Sequence, residues 1–152
     1  MFVALLAASI GSFGRAAPPP PPPQFIQSIV ERLLPTPTAS GFAGYAGLFA
    51  DDFTVTANGK TIAASKEGWL TLERPRLGKV SRFVYGFAAD SHSILILDRF
   101  DDRSDEHCPP GDHCIFDPRW AARALRYEIG ADRLVHRIRI LQTASIVRTP
   151  KD

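Results

Sequence analysis

The chain has 152 residues, of which 45% are hydrophobic and 22% charged, enough for one domain with a real core and too few for two. The net charge of +2, with arginines scattered among acids, excludes the one-sided basic surface of a nucleic-acid binder. The leading apolar run, Phe2 to Ile10, falls far below the roughly 20 residues of a membrane-crossing helix.

Residues 1–16 read as a signal peptide. Gly14-Arg15-Ala16 puts small residues at both positions a signal peptidase reads and makes Ala17 the first mature residue, although no basic residues precede the apolar run. Residues 17–23 contain the unbroken proline run Pro18 to Pro23, a stiff polyproline II spacer of about 3.1 Å per residue. The leader predicts a periplasmic or secreted protein, and a cytoplasmic one if it is not cleaved. The folded domain is expected over residues 24–145, followed by a flexible tail at 146–152.

Phe25, Ile26, Ile29, Val30, Leu33 and Leu34 form a helical apolar stripe that Pro35 ends. After the linker Thr36 to Gly41, the i, i+3, i+4, i+7 spacing of Phe42, Tyr45, Ala46 and Phe49 predicts a second helix, closed by Asp51-Asp52. Phe53 to Ala57 alternates as a strand, and Asn58-Gly59 is a strong hairpin signal. Ser65 caps a helix carrying Trp69, Leu70 and Leu72, which Arg74-Pro75 ends before a turn at Gly78. Four strands are predicted next: Val80–Ala89, Ser93–Phe100, Trp120–Ile129 and Asp132–Thr143. A polar excursion, Asp101 to Pro118, separates the second from the third, and Gly130-Ala131 forms a two-residue turn before the fourth. Helices followed by a meander give an α+β fold, with N-terminal helices packed on an antiparallel sheet.

Helix, Phe49-Ala50-Asp51-Asp52-Phe53, strand, Asn58-Gly59-Lys60 turn, return strand and Trp69 helix resemble the opening half of the nuclear transport factor 2-like superfamily, with its SnoaL-like and ketosteroid isomerase-like members. The element order matches over about residues 24–145. The resemblance implies a strongly curved sheet rolled into a cone (a cystatin-like roll) that holds a pocket, and dimerisation through the outer sheet face. It says little about activity, because the fold hosts many. Ketosteroid isomerases carry a basic aspartate after the strand that follows the acidic motif, an oxyanion tyrosine on the first helix and a protonated aspartate on the third meander strand. Those positions hold Ala57, no tyrosine, and a residue at or near Arg123. The resemblance thus gives the scaffold without that chemistry.

Pairing Ile129 with Asp132 across the Gly130 turn puts Arg123, Leu125, Tyr127, Leu134, His136 and Ile138 on one face. An Asp90-Ser91 turn likewise sets Phe87, Tyr85 and Phe83 opposite Ile94, Ile96 and Asp98. Asp98, Arg123 and His136 are therefore polar intruders on apolar faces. One reading is a pocket where Arg123 holds an anionic ligand, Asp98 or His136 moves a proton, and Tyr85, Tyr45 and Trp69 line the walls. The other is a structural Asp98–Arg123 ion pair, a histidine satisfied by a neighbour, and core aromatics.

Cys108 and Cys114, flanking Pro109-Pro110-Gly111 in an exported chain, read as a disulfide pinning the long loop. The rival is a metal site at His107, Cys108, His113 and Cys114, but adjacent His-Cys pairs aim poorly at one ion, so no metal and no cofactor is expected. No nucleophile elbow, phosphate loop or zincin motif occurs. Two functional classes follow: a domain that binds a small hydrophobic or anionic ligand, and a small cofactor-independent isomerase, cyclase or dehydratase working through Asp98, Arg123 and His136. A homodimeric interaction domain is compatible with either.

Overall fold

A computed structural model describes residues 21–102 and 119–143. The leader, the first half of the proline run, the Cys108–Cys114 pair with its metal-site rival, and the tail lie outside the described residues. The elements run α1 (Gln24–Leu33), α2 (Phe42–Ala46), β1 (Phe49–Ala57), β2 (Lys60–Ala63), α3 (Lys66–Glu73), a 3-10 turn (Arg74–Arg76), β3 (Val80–Ala89), β4 (Ser93–Asp102), β5 (Arg119–Ile129) and β6 (Val135–Gln142). The strands form one six-stranded sheet in the order β2-β1-β6-β5-β4-β3. All neighbours are antiparallel except β1 and β6. The fold is α+β, a curved, mostly antiparallel sheet closed by its helices into a cone.

Local chemistry explains the N-terminal half. Helix α1 buries Ile26, Ile29, Val30 and Leu33 and stops just before Pro35, whose ring would clash with the preceding turn. The Asn58-Gly59 turn uses two positive φ angles, 47° and 80°, the geometry that matches the twist of a hairpin. Ser65 caps α3, its hydroxyl accepting from the Gly68 amide at 3.1 Å.

The second helix is shorter than its apolar spacing predicts. It ends at Ala46, with Gly44 inside it and Gly47 as its C-cap, and glycine disfavours helical continuation. Phe49 instead opens β1, and Asp51-Asp52 lie within that strand rather than closing a helix. The β1–β6 register is irregular between Phe49 and Thr54, which lets Phe49 and Phe53 both turn inward while both aspartates face water. The two rings meet with centroids 4.5 Å apart and join Ile94, Ile96, Val135 and Ile138 in one core.

Two further irregularities change the predicted pairing. The β5–β6 connection is longer than two residues: Ile129 pairs with Val135 rather than Asp132, and Tyr127 with Ile138 rather than Leu134. A bulge between these pairs ejects His136 from the inner face, while the even shift keeps Arg123, Leu125 and Tyr127 inward. In β3 a bulge between Val84 and Gly86 sets Val84, not Phe83, opposite Asp98. Phe83 and Tyr85 consequently leave the cone for the outer face, Tyr85 at 63% exposure, and Phe87 keeps half its surface in water.

Candidate functional site

The polar centre of the cone is Asp98, 1% exposed in the middle of β4. Its direct partner on β5 is Arg123, as the strand order requires. Arg123 donates from Nε to Oδ1 at 2.9 Å and from Nη2 to Oδ2 at 2.8 Å, the two-pronged geometry that suits a guanidinium to a carboxylate. From the other side Arg82 of β3 donates its Nε to Oδ2. Arg82 also donates Nη1 to the Leu33 carbonyl, one of the acceptors that the end of α1 leaves without an intrahelical partner. One buried carboxylate thus holds two buried arginines and ties β3, β4, β5 and α1 together. The Arg123 guanidinium also lies 3.8 Å above the Phe100 ring centroid.

This cluster forms one end of a cavity of about 50 Å³. At roughly 10–15 Å³ per water position that is room for a few waters. Leu33, Trp69, Leu125 and Tyr127 supply its walls, and the partly exposed Thr36, Pro37 and Leu77 lie along its mouth. Tyr45 also lines it and accepts a 3.0 Å hydrogen bond from the Trp69 indole Nε1. Burial, reinforced by the Glu73 carboxylate, raises the Tyr45 phenol well above its ordinary pKa. Burial also raises Tyr127, partly offset by the positive charges of Arg82 and Arg123. Both phenols therefore stay neutral and protonated at neutral pH. At the mouth, Arg76 bonds Glu73 at 3.0 Å and lies 5.9 Å from the Phe100 ring centroid.

The predicted site residues divide cleanly. Arg123, Tyr45 and Trp69 meet at the cavity, and Asp98 is bonded to Arg123 without lining it. Tyr85 does not: it stacks edge-on against Phe83, 5.2 Å between centroids, on the outside. His136 does not either. Its Nδ1 lies 2.7 Å from Asp52 and its Nε2 3.0 Å from Asp132, in a part-exposed cluster where two strand irregularities face each other. The hydrogen bond to Asp132 raises the His136 pKa, and the same bond lowers that of Asp132. The structure therefore does not assemble Asp98, Arg123 and His136 into one acid–base site. Both Asp98 oxygens accept from guanidinium groups, three bonds that stabilise its ionised form.

Arg82 is a charged cavity residue that the sequence does not single out. The aromatic spacing of Phe83, Tyr85 and Phe87 pointed to the opposite parity for β3. The available signal was stoichiometric, since Arg82 and Arg123 flank the strand that carries one inward acid. Among the described residues no group of acidic, histidine and cysteine side chains is arranged to hold a metal ion, and no helix is long and apolar enough to cross a membrane.

No protein-family model matches the sequence, and no curated protein matches it. Solved structures do match it in shape. A candidate ketosteroid isomerase from Kribbella flavida superposes with a TM-score of 0.59 at 16% identity, covering 84% of each chain. A candidate SnoaL-like polyketide cyclase from Jannaschia superposes at 0.61 with 11% identity, over 82% of this chain and 90% of that one. A Mycobacterium tuberculosis protein in complex with estradiol-17β-hemisuccinate superposes at 0.54 with 13% identity, over 76% and 88%. At such identities the likeness is one of fold, and the fold is the nuclear transport factor 2-like cone.

Proposed function

We propose that this protein is an exported small-ligand-binding domain whose cone takes up a mainly apolar molecule by its polar end. The observation that carries this reading is the cavity itself, walled largely by apolar and aromatic side chains and lined also by Arg82 and Arg123, which Asp98 holds. Concave, mostly apolar sites with a few converging polar groups are the usual form of small-molecule sites. Support also comes from the neighbour of the same fold that carries estradiol-17β-hemisuccinate. The reading requires neither His136 nor a proton transfer by Asp98. Native mass spectrometry of protein purified from its own cell envelope or medium should show a bound small molecule. Val80→Phe, which fills the cavity from its lining, should lose that molecule while keeping the circular dichroism of the parent. A cone that remains empty, in a protein whose melting temperature no apolar ligand raises, would overturn the reading.

A second copy of the chain is the occupant we propose for the outer sheet face. Leu97 and Leu141 flank Ala124 across three strands, and the exposed Phe83, Tyr85 and Leu95 extend this apolar strip. Several such residues on one face exceed the scattered apolar exposure normal for a monomer. The arginines of that face have an acidic neighbour within the chain, with Glu128 at 2.9 Å from Arg139 and 3.5 Å from Arg137, so two copies of the face can approach without unpaired like charges. Sedimentation at micromolar concentration should show a dimer that Leu97→Glu converts to monomer. A monomeric parent chain would exclude this interface.

A further inference from the structure

The cone cavity is smaller than the molecules such sites usually hold. Its volume of about 50 Å³ lies below the roughly 150 Å³ that houses benzene in a protein interior. Ordinary ligand pockets run to roughly 300–1,000 Å³. A second concavity, of about 310 Å³, lies across the α1–α2 connection. Thr36, Pro37 and Tyr45 line both spaces, so the partition between them is one layer of side chains. The outer groove adds Pro35, Thr38, Gly41 and Gly44, and Arg32 is its charged residue.

That partition is lightly held. No residue from Pro35 to Ala46 is buried. Its helix α2 is five residues long, contains Gly44 and is flanked by Gly41 and Gly47, and glycine disfavours helix. Segments with few buried side chains open at a fraction of the global free energy. The segment is anchored just beyond its ends, where Arg82 holds the Leu33 carbonyl and the Val135 amide donates to the Leu48 carbonyl at 2.9 Å. Between these anchors Tyr45 ties it to the body, accepting the 3.0 Å bond from the Trp69 indole and standing edge-on to Phe49 at 4.9 Å between centroids. Phe42 adds a looser tie, its ring centroid 5.7 Å from the Arg74 guanidinium.

Building on the ligand-binding reading above, we propose that the cone cavity and the outer groove are two halves of one binding site, parted by a strap (Pro35–Ala46) that the Tyr45–Trp69 hydrogen bond latches. Moving Tyr45 off Trp69 joins the halves into a space of ordinary ligand size, a pocket that a ligand makes dominant. Its occupant is a mainly apolar molecule at least as large as a benzene ring.

The test uses the full chain labelled with nitrogen-15, with benzene as the probe. In the parent, the amides of Tyr45 and Gly47, bonded to the Gly41 and Ala43 carbonyls, should exchange with solvent at least about 100-fold faster than the Ile129 amide, bonded to His92. Benzene should shift the Trp69 indole Nε1–H signal saturably. Tyr45→Phe keeps the ring and removes the acceptor, so strap exchange should rise about fivefold and benzene should bind about fivefold more tightly. Gly44→Leu enters the groove, where nothing lies within 4 Å of the added Cβ, and has no place in the cavity lining. It should weaken benzene at least about tenfold. Strap amides that exchange no faster than Ile129, or that Tyr45→Phe leaves unchanged, would overturn the latch and with it the proposal. Unaltered benzene affinity in a folded Gly44→Leu protein would confine the ligand to the cone, overturning the joined site and leaving the ligand-binding reading standing. Absence of any benzene-induced shift in the folded parent would also overturn the joined site, and native mass spectrometry with the Val80→Phe comparison then decides the broader reading separately.

Discussion

Two clusters in this molecule pair cations with carboxylates, and they do opposite work. At the closed end of the cone Asp98 is buried beneath Arg82 and Arg123, with both of its oxygens occupied. Near the β5–β6 turn His136 lies between Asp52 and Asp132, whose side chains are 74% and 47% exposed. The contacts are similarly short, but the solvent differs. Water competes with and screens the exposed cluster, so each of its pairs contributes little. In the cone the charged side chains are almost fully withdrawn from bulk solvent, so removing one charge strands the others.

Removing Asp98 should therefore have the largest effect. Asp98→Asn leaves two buried guanidinium groups without a counter-charge and should cost about 3–5 kcal/mol of unfolding free energy by urea titration. A loss below about 1 kcal/mol would mean that the cluster is more hydrated than its burial indicates. Trp69→Phe tests the neighbouring neutral contact. Losing the indole donor to Tyr45 should cost about 1 kcal/mol, plus the smaller packing loss.

Gly130 probes the exposed cluster. A Cβ there would stand 2.5 Å from His136 Nε2 and 2.7 Å from Asp132 Oδ1, too close for either side chain to stay. Gly130→Ala should destabilise by about 0.5–1 kcal/mol in the parent and by less in a His136→Ala background, a coupling that a double-mutant cycle measures. Additive losses would disprove the close approach.

The smallest effect is a pH dependence. Because Asp132 raises the folded-state pKa of His136 above its unfolded value, the stabilisation is complete below about pH 6.5 and fades as pH rises through the raised pKa. His136→Gln should flatten stability across that window, and about 0.5 M salt should do much the same to the parent. The Asp98 contribution should persist in that salt. If it is screened equally, the contrast between the two clusters fails.

How far the sequence reveals these features depends on the range of the interactions involved. The Asn58-Gly59 turn, the Ser65 cap and the Pro35 stop are decided by neighbouring residues, and each lies where local chemistry places it. The full span of β3 and the inward position of Asp98 also follow from local alternation, whereas its meeting with Arg123 needs the β4–β5 register. Bulges are different. The extra residue near Tyr85, the one at His136 and the irregular stretch through Asp51-Asp52 are set by how each strand fits its partner and the core beneath it. Strand parity has a period of two, so a single inserted residue exchanges inside for outside. That moved Tyr85 and His136 out of the cone and brought Arg82 into line with Asp98.

The sequence alone determined the order of helices and strands, the α+β class and the placing of one acid and one arginine on inward faces of neighbouring strands. Apolar periodicity, turn chemistry and the cost of a lone buried charge act over short stretches and suffice for these. Tertiary structure decided which polar residues share the cavity, because that depends on register between strands far apart in the chain. It set two arginines against one aspartate beside a cavity walled largely by apolar side chains.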